Sequence, residues 1–174
     1  IQIPEPVDVN SEAYLNGYHT IAEITKERIR KVISISKKEN VGFKTLKLVP
    51  SNYKPWENYS GTDIIELEMQ FEKSISPLIV DWKPENLLSE ILLIEGFPLD
   101  SSIAVIDTYK QNKITQVSSD FCEHKLLVCL DDNIDDNTIK SLELSDNDIF
   151  ICLDNAISDK DKVTLQDKGL IKTI

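Results

Sequence analysis

The sequence predicts an α/β fold, and two features of the chain support that prediction. Near the C-terminus, the short apolar stretches Leu126–Leu130 and Phe150–Leu153 alternate with helical patterns. Continuous apolar strands that alternate with helices are typical of a parallel sheet covered on both faces. In the first fifty residues the predicted order is strand, helix, strand, which is the order of a right-handed crossover unit. We therefore expect a strand-helix-strand segment followed by a small, mostly parallel α/β domain.

The first predicted elements are a strand over residues 1–6 and a helix that begins after Thr20. The opening residues contain neither an initiator methionine nor the regions of a signal peptide, so we interpret them as a strand entered midway. Thr20 is suited to a helix N-cap, and Glu23 completes a capping box. Apolar residues at helical spacing form one face of this helix: Ile21, Ile24, Ile29, Val32 and Ile33.

A second strand is predicted over Gly42–Val49, where apolar and polar residues alternate up to Pro50. Loop-forming residues follow over Ser51–Gly61, and Asp63–Ile75 is predicted to be helical. We place the domain limits accordingly: residues 1–60 form the strand-helix-strand segment, residues 61–80 a connecting helix or linker, and residues 81–174 the C-terminal α/β domain.

The C-terminal domain is predicted to begin with a helix, because Pro84 fits its first turn and Gly96 fits its C-terminal cap. Ile103–Tyr109 and Ile114–Ser118 are rich in β-branched residues and predict a hairpin. Three further elements complete the prediction: a helix that contains Ile139 and Leu142, a helix from Ser158 to Gly169 with Asp161 as capping-box partner, and a final strand over Leu170–Ile174.

The formal net charge of −11 argues against a nucleic-acid-binding surface over the whole protein, because phosphate binding depends on clustered Lys and Arg. The cations concentrate between Lys26 and Lys38, where Glu27 is the single acid. Any phosphate contact is therefore expected in the N-terminal third, although plain solvation of a helix face is the favoured explanation of these cations.

Three cysteines, Cys122, Cys129 and Cys152, lack the paired spacing of a disulfide framework or a zinc site. No apolar run approaches the roughly 18 residues that a membrane span needs. The composition therefore predicts a folded, soluble, cytoplasmic protein whose thiols are buried and reduced, with no part in a membrane.

The standard catalytic templates are missing from the sequence: it has no P-loop, no HExxH, no GxSxG and no paired CxxC. His19 and His124 stand beside no nucleophile motif and predict surface or hydrogen-bonded residues. Asp131, Asp132 and Asp154 follow the two apolar strands, where open α/β sheets can bind Mg²⁺. The favoured alternative is that these carboxylates cap helices or form turns, so no metal site is assigned.

Several strings of residues resemble, in the right order, the Mod subunits of type III restriction-modification systems. They are distributed over nearly the whole chain and lie at residues 2–6, 11–14, 17–30, 42–44, 51–56, 87–97 and 151–154. The resemblance implies a Rossmann-like methyltransferase sheet to which the opening strand belongs. It also implies that the catalytic Asp-Pro-Pro-Tyr motif and the glycine-rich motif for S-adenosylmethionine both lie upstream of Ile1.

No catalytic residue is therefore assigned in this chain. In such folds the strand after the glycine motif supplies an acidic group to the cofactor ribose, and Glu5 is the candidate, with Gln2 as its rival. The alternative for Glu5 is a surface acid between two prolines. Asn52 and Trp56 match a family string without an assigned chemical role, and Trp56 is equally well explained as a packing anchor.

The resemblance implies that the chain is the C-terminal part of an S-adenosylmethionine-dependent DNA adenine methyltransferase and is inactive alone. DNA would be bound by the full-length enzyme. The C-terminal domain is expected to contact a second Mod subunit or the restriction (Res) subunit. Two alternatives stay open: a stand-alone α/β interaction module, and a small Mg²⁺-binding α/β protein that uses Asp131 and Asp154.

Overall fold

The computed structural model describes residues 2–36, 39, 41–55 and 60–174, and the chain divides into two compact units, residues 1–47 and 48–174. The α/β class is confirmed, because helices and a five-stranded sheet are both present. All five strands belong to the second unit. The domain limits placed at residues 60 and 80 stay a prediction.

The first unit contains helices α1 (Glu12–Leu15) and α2 (Ile21–Ser36). The capping box predicted for α2 is confirmed: the Glu23 N–H donates to Thr20 Oγ1 at 3.3 Å, and the Thr20 N–H donates to Glu23 Oε2 at 3.1 Å. The His19 N–H also donates to this carboxylate, at 2.7 Å. The backbone donors of His19 and Thr20 lower the pKa of Glu23, because they favour its charged form.

The prediction of two strands in the first fifty residues is wrong. Residues 2–7 contain one isolated bridge, between Pro6 and Thr20, and residues 41–50 are irregular and exposed. Ile1 lies outside the described residues. A strand needs a neighbour that pairs its backbone N–H and C=O groups, and the described residues of the first unit include no other strand. Alternation in Gly42–Val49 indicates a strand only where a sheet buries the apolar face.

The second unit contains a mixed five-stranded sheet in the order β1-β2-β3-β4-β5. The pairs β1-β2 and β2-β3 are antiparallel, whereas β3-β4 and β4-β5 are parallel. The predicted hairpin and the predicted parallel strands are therefore both confirmed. The strands are β1 (Ser102–Val105), β2 (Ile114–Ser118), β3 (Leu126–Cys129), β4 (Ile149–Cys152) and β5 (Leu170–Thr173).

Four helices accompany the sheet: α3 (Ile64–Ser74), α4 (Pro84–Ile94), α5 (Asp136–Ser141) and α6 (Asp159–Gln166). Their ends follow local chemistry. Pro84 is the first residue of α4, and Gly96 after its end has a φ of 80°, a conformation that favours glycine. The capping box of Ser158 and Asp161 is confirmed. Among the described helices, none has both the length and the apolar character needed to cross a bilayer.

The core of the second unit is built around β3 and β4, in which every residue is buried. Leu87, Ile91 and Leu92 of α4 join this core, as does Leu165 of α6. Each fully buried aliphatic side chain contributes about 1.5–3 kcal/mol relative to exposure. The continuous apolar strands of the sequence are thus the central strands of the structure, as predicted.

The connection between α6 and β5 is fixed by two neighbouring residues. Lys168 Nζ donates to three carbonyl oxygens at the end of α5, those of Ile139, Lys140 and Leu142, at 2.9–3.0 Å. This ammonium group satisfies carbonyls that have no partner within the helix. Gly169 follows in close contact with the loop before β4, where an added Cβ would lie 3.0 Å from Leu144 Cβ and 3.2 Å from the Asp148 carbonyl oxygen.

We expect Gly169→Ala to lower the free energy of unfolding by about 1–3 kcal/mol, because the methyl group must displace backbone atoms of a packed loop. Urea denaturation followed by circular dichroism measures this change. Gly42→Ala is the matched control, since no atom lies within 4 Å of a Cβ at that position. Equal urea midpoints for the two variants would contradict the close approach at Gly169.

Candidate functional site

The two predicted cofactor-binding residues, Glu5 and Gln2, lie in the first unit and are both exposed. Gln2 Nε2 donates to the carbonyl of Ile3 at 3.1 Å. The Glu5 carbonyl oxygen accepts from the N–H of Ile21 at 2.9 Å, so the backbone of Glu5 is fixed against the beginning of α2. The Glu5 carboxylate is open to solvent, and both roles considered for it, ribose ligand and surface acid, are compatible with this position.

A carboxylate on α4, that of Glu90, binds the loop residues that follow Pro50. Glu90 Oε2 accepts from the Asn52 backbone N–H and from Asn52 Nδ2, each at 2.8 Å, and Oε1 accepts from the Ser51 hydroxyl. Asn52 is only 6% exposed, so these bonds replace the water that burial removes. We name Ser51, Asn52 and Glu90 the Glu90 clasp.

The charged form of Glu90 is favoured inside the clasp. Burial raises the pKa of the Glu90 carboxyl, but the hydrogen bonds from Ser51 and Asn52 outweigh that effect, and the pKa is lowered. Hydrogen bonds to a charged group are stronger than those between neutral groups. The clasp is therefore a charge-assisted link between the loop and α4.

The same loop is also tied to the segment that precedes α4. The Asn52 carbonyl accepts from the N–H of Ile79 at 2.9 Å, and the Lys54 N–H donates to the carbonyl of Pro77 at 2.7 Å. Asn52, to which the sequence assigned no role, therefore holds this loop between two elements of the second unit. Trp56, from the same string, lies outside the described residues.

A cleft of about 330 Å³ lies beside the Glu90 clasp, bordered by α4, β4 and β5. Its apolar lining includes Tyr53, Ile91, Ile94 and Ile151, and we name it the β5 cleft. The volume is at the lower end of the range typical of binding pockets. Three of the strings that resemble Mod subunits meet here: residues 51–56, 87–97 and 151–154.

One ion pair borders the β5 cleft. Lys172 Nζ lies 2.6 Å from Glu95 Oε2, and the Glu95 side chain is 8% exposed whereas that of Lys172 is 51% exposed. Burial raises the pKa of the Tyr53 phenol, and the neighbouring carboxylates of Glu90 and Glu95 raise it further. The phenol therefore stays protonated at neutral pH. This combination of apolar walls, a neutral phenol and a paired charge is suited to binding rather than to proton transfer.

The carboxylates that follow β3 and β4 maintain local structure. Asp131 Oδ2 accepts from Asn112 Nδ2 and from the Lys113 N–H, both at 2.9 Å, and so fixes the hairpin turn before β2. Asp154 accepts from Lys162 Nζ at 2.8 Å, and this bond lowers the pKa of Asp154. Asp131 thus stabilises a turn and Asp154 forms an ion pair with Lys162, whereas the turn or cap role expected of Asp132 stays a prediction. Within the described residues, no three His, Cys, Asp or Glu side chains are grouped as metal ligands.

Asn112 makes buried polar contacts that the sequence analysis missed, because the residues around it indicated only a hairpin turn. It is 6% exposed, donates to the carbonyl of Asn133 at 2.8 Å and accepts from the Asp135 N–H at 2.9 Å. Asn112 thereby connects the hairpin to the N-cap of α5. Its partners lie 21 and 23 residues away, so no local pattern could have indicated them.

Cys129 and Cys152 end β3 and β4 as direct partners in the parallel register, and both are fully buried. Burial raises the pKa of Cys129 to about 11 and that of Cys152 to about 12. Because the thiolate is the nucleophilic form, these thiols are unreactive at neutral pH. All three cysteines are free, as the sequence predicted, and Cys122 is only partly buried.

Each histidine packs edge-on against an aromatic ring. The His19 ring lies 4.8 Å from that of Tyr14, and the His124 ring lies 5.3 Å from that of Phe97. The buried Nε2 of His124 has no hydrogen-bond partner among the described residues. Neither ring contact includes a nucleophile, so both contacts contribute packing.

A second, polar pocket of about 540 Å³ includes Gln116 of β2, Leu127 of β3 and Asp148 in its lining. Asp148 is 8% exposed and accepts from the N–H groups of Lys125 at 2.8 Å and Ser145 at 3.0 Å. Burial raises the pKa of Asp148, but these donors outweigh that effect and the pKa is lowered. This carboxylate fixes the beginnings of β3 and β4, and the sequence analysis did not single it out.

The second unit is thus a small α/β domain with a cleft beside its edge strand β5. No family model, no curated protein and no solved structure matches the chain.

We expect Glu90→Gln to destabilise the protein by about 1–2 kcal/mol at neutral pH, because a charged acceptor of buried donors becomes neutral. The pKa of Glu90 is lowered from 4.5 on folding, so its stabilisation is present above pH 4.5 and is lost as the pH falls through the lowered value. Urea denaturation as a function of pH should therefore show the difference from the wild type shrinking in acid. The exposed Glu123 provides the control Glu123→Gln, which should have no effect. A pH-independent difference would contradict the charged clasp.

Proposed function

We propose that this chain is the C-terminal part of an S-adenosylmethionine-dependent DNA adenine methyltransferase, the Mod subunit of a type III restriction-modification system. Residues 48–174 would serve subunit assembly. The main support is the ordered set of strings that resemble Mod subunits. Asn52 and Glu90 belong to two of these strings and bind each other, so a relative that shares the strings can share the same packing.

The proposed chemistry belongs to the intact enzyme. S-adenosylmethionine would supply the methyl group accepted by the amine of an adenine flipped out of the duplex. In this chain, Glu5 is the candidate ligand of the cofactor ribose, with Gln2 as its rival. An exposed carboxylate on a fixed backbone fits that role. The glycine-rich motif is not part of this sequence, so the chain alone is expected neither to hold the cofactor stably nor to methylate DNA.

In the proposed enzyme, the two N-terminal segments predicted as strands would belong to the methyltransferase sheet. Residues 2–7 and 41–50 form no sheet of their own among the described residues. The proposal therefore requires that these segments pair with strands of the preceding sequence in the intact enzyme. Hydrogen exchange of the intact enzyme would show this as slow exchange of backbone amides in both segments.

The assembly role of the second unit is supported by its charge. Residues 48–174 contain 24 acidic residues, 11 lysines and no arginine. Such a surface repels phosphate and suits contacts with proteins. The proposed partners are a second Mod subunit or the Res subunit, with DNA bound by the rest of the enzyme in the cytoplasm.

The alternative is a stand-alone α/β interaction module. It is favoured by one observation, that the second unit has its own sheet and its own core. The two proposals differ in the reading frame that precedes Ile1. A frame that continues upstream into a glycine-rich motif and Asp-Pro-Pro-Tyr supports the methyltransferase, and a frame without them supports the module.

In the intact enzyme, Glu5→Gln is expected to weaken binding of S-adenosylmethionine about tenfold, because a hydrogen bond to a charged group is lost. Isothermal titration calorimetry with S-adenosylmethionine measures this affinity. Gln2→Ala should leave it unchanged. The reverse pattern would assign the ribose to Gln2, and unchanged affinity in both variants would remove this segment from the cofactor site.

Removal of residues 51–174 from the intact enzyme is expected to abolish association with the partner subunit, because every acidic residue of the second unit is lost. Light scattering of the purified enzyme, with and without the Res subunit, measures the assembled mass. Retained binding of S-adenosylmethionine serves as the control that the remaining enzyme is folded. An unchanged assembled mass would contradict the assembly role.

A further inference from the structure

The strand β5 lies at an open edge of the sheet. It has one neighbour among the described strands, β4. The N–H groups of Leu170 and Ile174 donate toward the β4 side, to the carbonyls of Asp148 and Cys152, each at 3.0 Å. Because backbone groups alternate in direction along a strand, the N–H and C=O groups of Ile171 and Thr173 face away from the sheet. They form a template on which a further strand can pair.

The β5 cleft lies directly beside this edge. Thr173 borders both the open edge and the cleft. The apolar walls Ile91, Ile94 and Ile151 could receive one apolar side chain of an added strand. The strand β1 also has an open edge, but it borders neither the β5 cleft nor the polar pocket beside Asp148. The unpaired backbone groups of β5 and an apolar cleft therefore lie side by side.

Charge indicates the chemistry of the partner. The second unit has 24 acidic residues against 11 lysines, and the lysine at the cleft, Lys172, is paired with Glu95. A partner segment rich in Lys or Arg is therefore attracted, whereas an acidic segment is repelled.

We infer that β5 and the β5 cleft form a docking site for an extended, basic peptide segment of a partner protein, which pairs with β5 as a sixth strand and inserts an apolar side chain between Ile94 and Ile151. The inference deepens the assembly role proposed for residues 48–174 and rests on it, but it does not depend on the methyltransferase assignment. The segment is defined by three properties: extended backbone, positive charge and an apolar anchor.

Selection from a phage-displayed library of random peptides against the full chain tests the inference. We expect enrichment of sequences that alternate Lys or Arg with apolar residues over about six positions, the length of an ordinary strand. A synthetic peptide of an enriched sequence should protect the amides of Ile171 and Thr173 from hydrogen exchange. The outward amides of β1, those of Ile103 and Val105, are the internal control and should be unchanged.

Two matched variants separate the cleft from the general surface. Ile94 and Leu93 are neighbours on α4 with similar exposure, 63% and 59%, but only Ile94 borders the cleft. Ile94→Gln should weaken binding of the enriched peptide about tenfold, because one apolar contact is lost. Leu93→Gln should leave the affinity unchanged. Thr173→Pro removes an outward N–H together with the Thr173 hydroxyl that hydrogen-bonds Asp154, and Thr173→Val removes the hydroxyl alone, so only the proline variant should weaken binding.

Four results would overturn the inference. These are a selection that enriches no sequence, enriched peptides that are acidic, equal effects of Ile94→Gln and Leu93→Gln, and binding that leaves the amides of Ile171 and Thr173 unprotected. Protection of these amides in the free chain, together with a dimeric mass by light scattering, would show that a second copy occupies β5. None of these results bears on the reading frame that precedes Ile1, so the methyltransferase proposal is judged separately.

Discussion

Burial of both faces of β3 and β4 is the constraint on which the second unit depends. Every residue of these two strands is buried, so both faces of the central sheet are packed with apolar side chains. Their pairing also sets where the chain leaves each strand, since Cys129 and Cys152 are direct partners. The two Cys-Leu-Asp ends are therefore side by side in the sheet, although their carboxylates bind different partners, Asn112 for Asp131 and Lys162 for Asp154.

The same constraint explains which parts of the fold could be predicted. Two-sided burial produces a continuous apolar run, and a run of that kind is visible in the sequence without knowledge of the partner strands. Caps such as Ser158 with Asp161, and Thr20 with Glu23, were also predictable, because their contacts span only three residues. The strand expected at Gly42–Val49 failed for the opposite reason. Apolar and polar residues alternate in this segment, but such a pattern forms a strand only where a sheet covers the apolar side chains. No sheet among the described residues covers them.

The candidate site depends on contacts that no local pattern contains. Glu90 and Asn52 are 38 residues apart, and Lys172 and Glu95 are 77 residues apart. Each of these residues alone has the appearance of an ordinary polar side chain on a helix, loop or strand. Only the fold of the second unit brings Asn52 to Glu90, and only the position of β5 beside β4 brings Lys172 to Glu95 at the cleft. The long sequence separation is therefore the physical reason why the cleft was missed.

These contacts also change what the resemblance to Mod subunits can support. Asn52, which had no assigned role, is buried against the Glu90 carboxylate of α4, and residues 151–154 include the end of a central strand. Residues of three of these strings, 51–56, 87–97 and 151–154, thus pack within the second unit near the β5 cleft. In the proposed relationship, agreement at such positions would concern the fold and surface of this unit rather than its chemistry. The proposed methyltransferase function must therefore be carried by the first unit and the sequence proposed to precede it, where Glu5, with Gln2 as its rival, is the proposed contact of the cofactor.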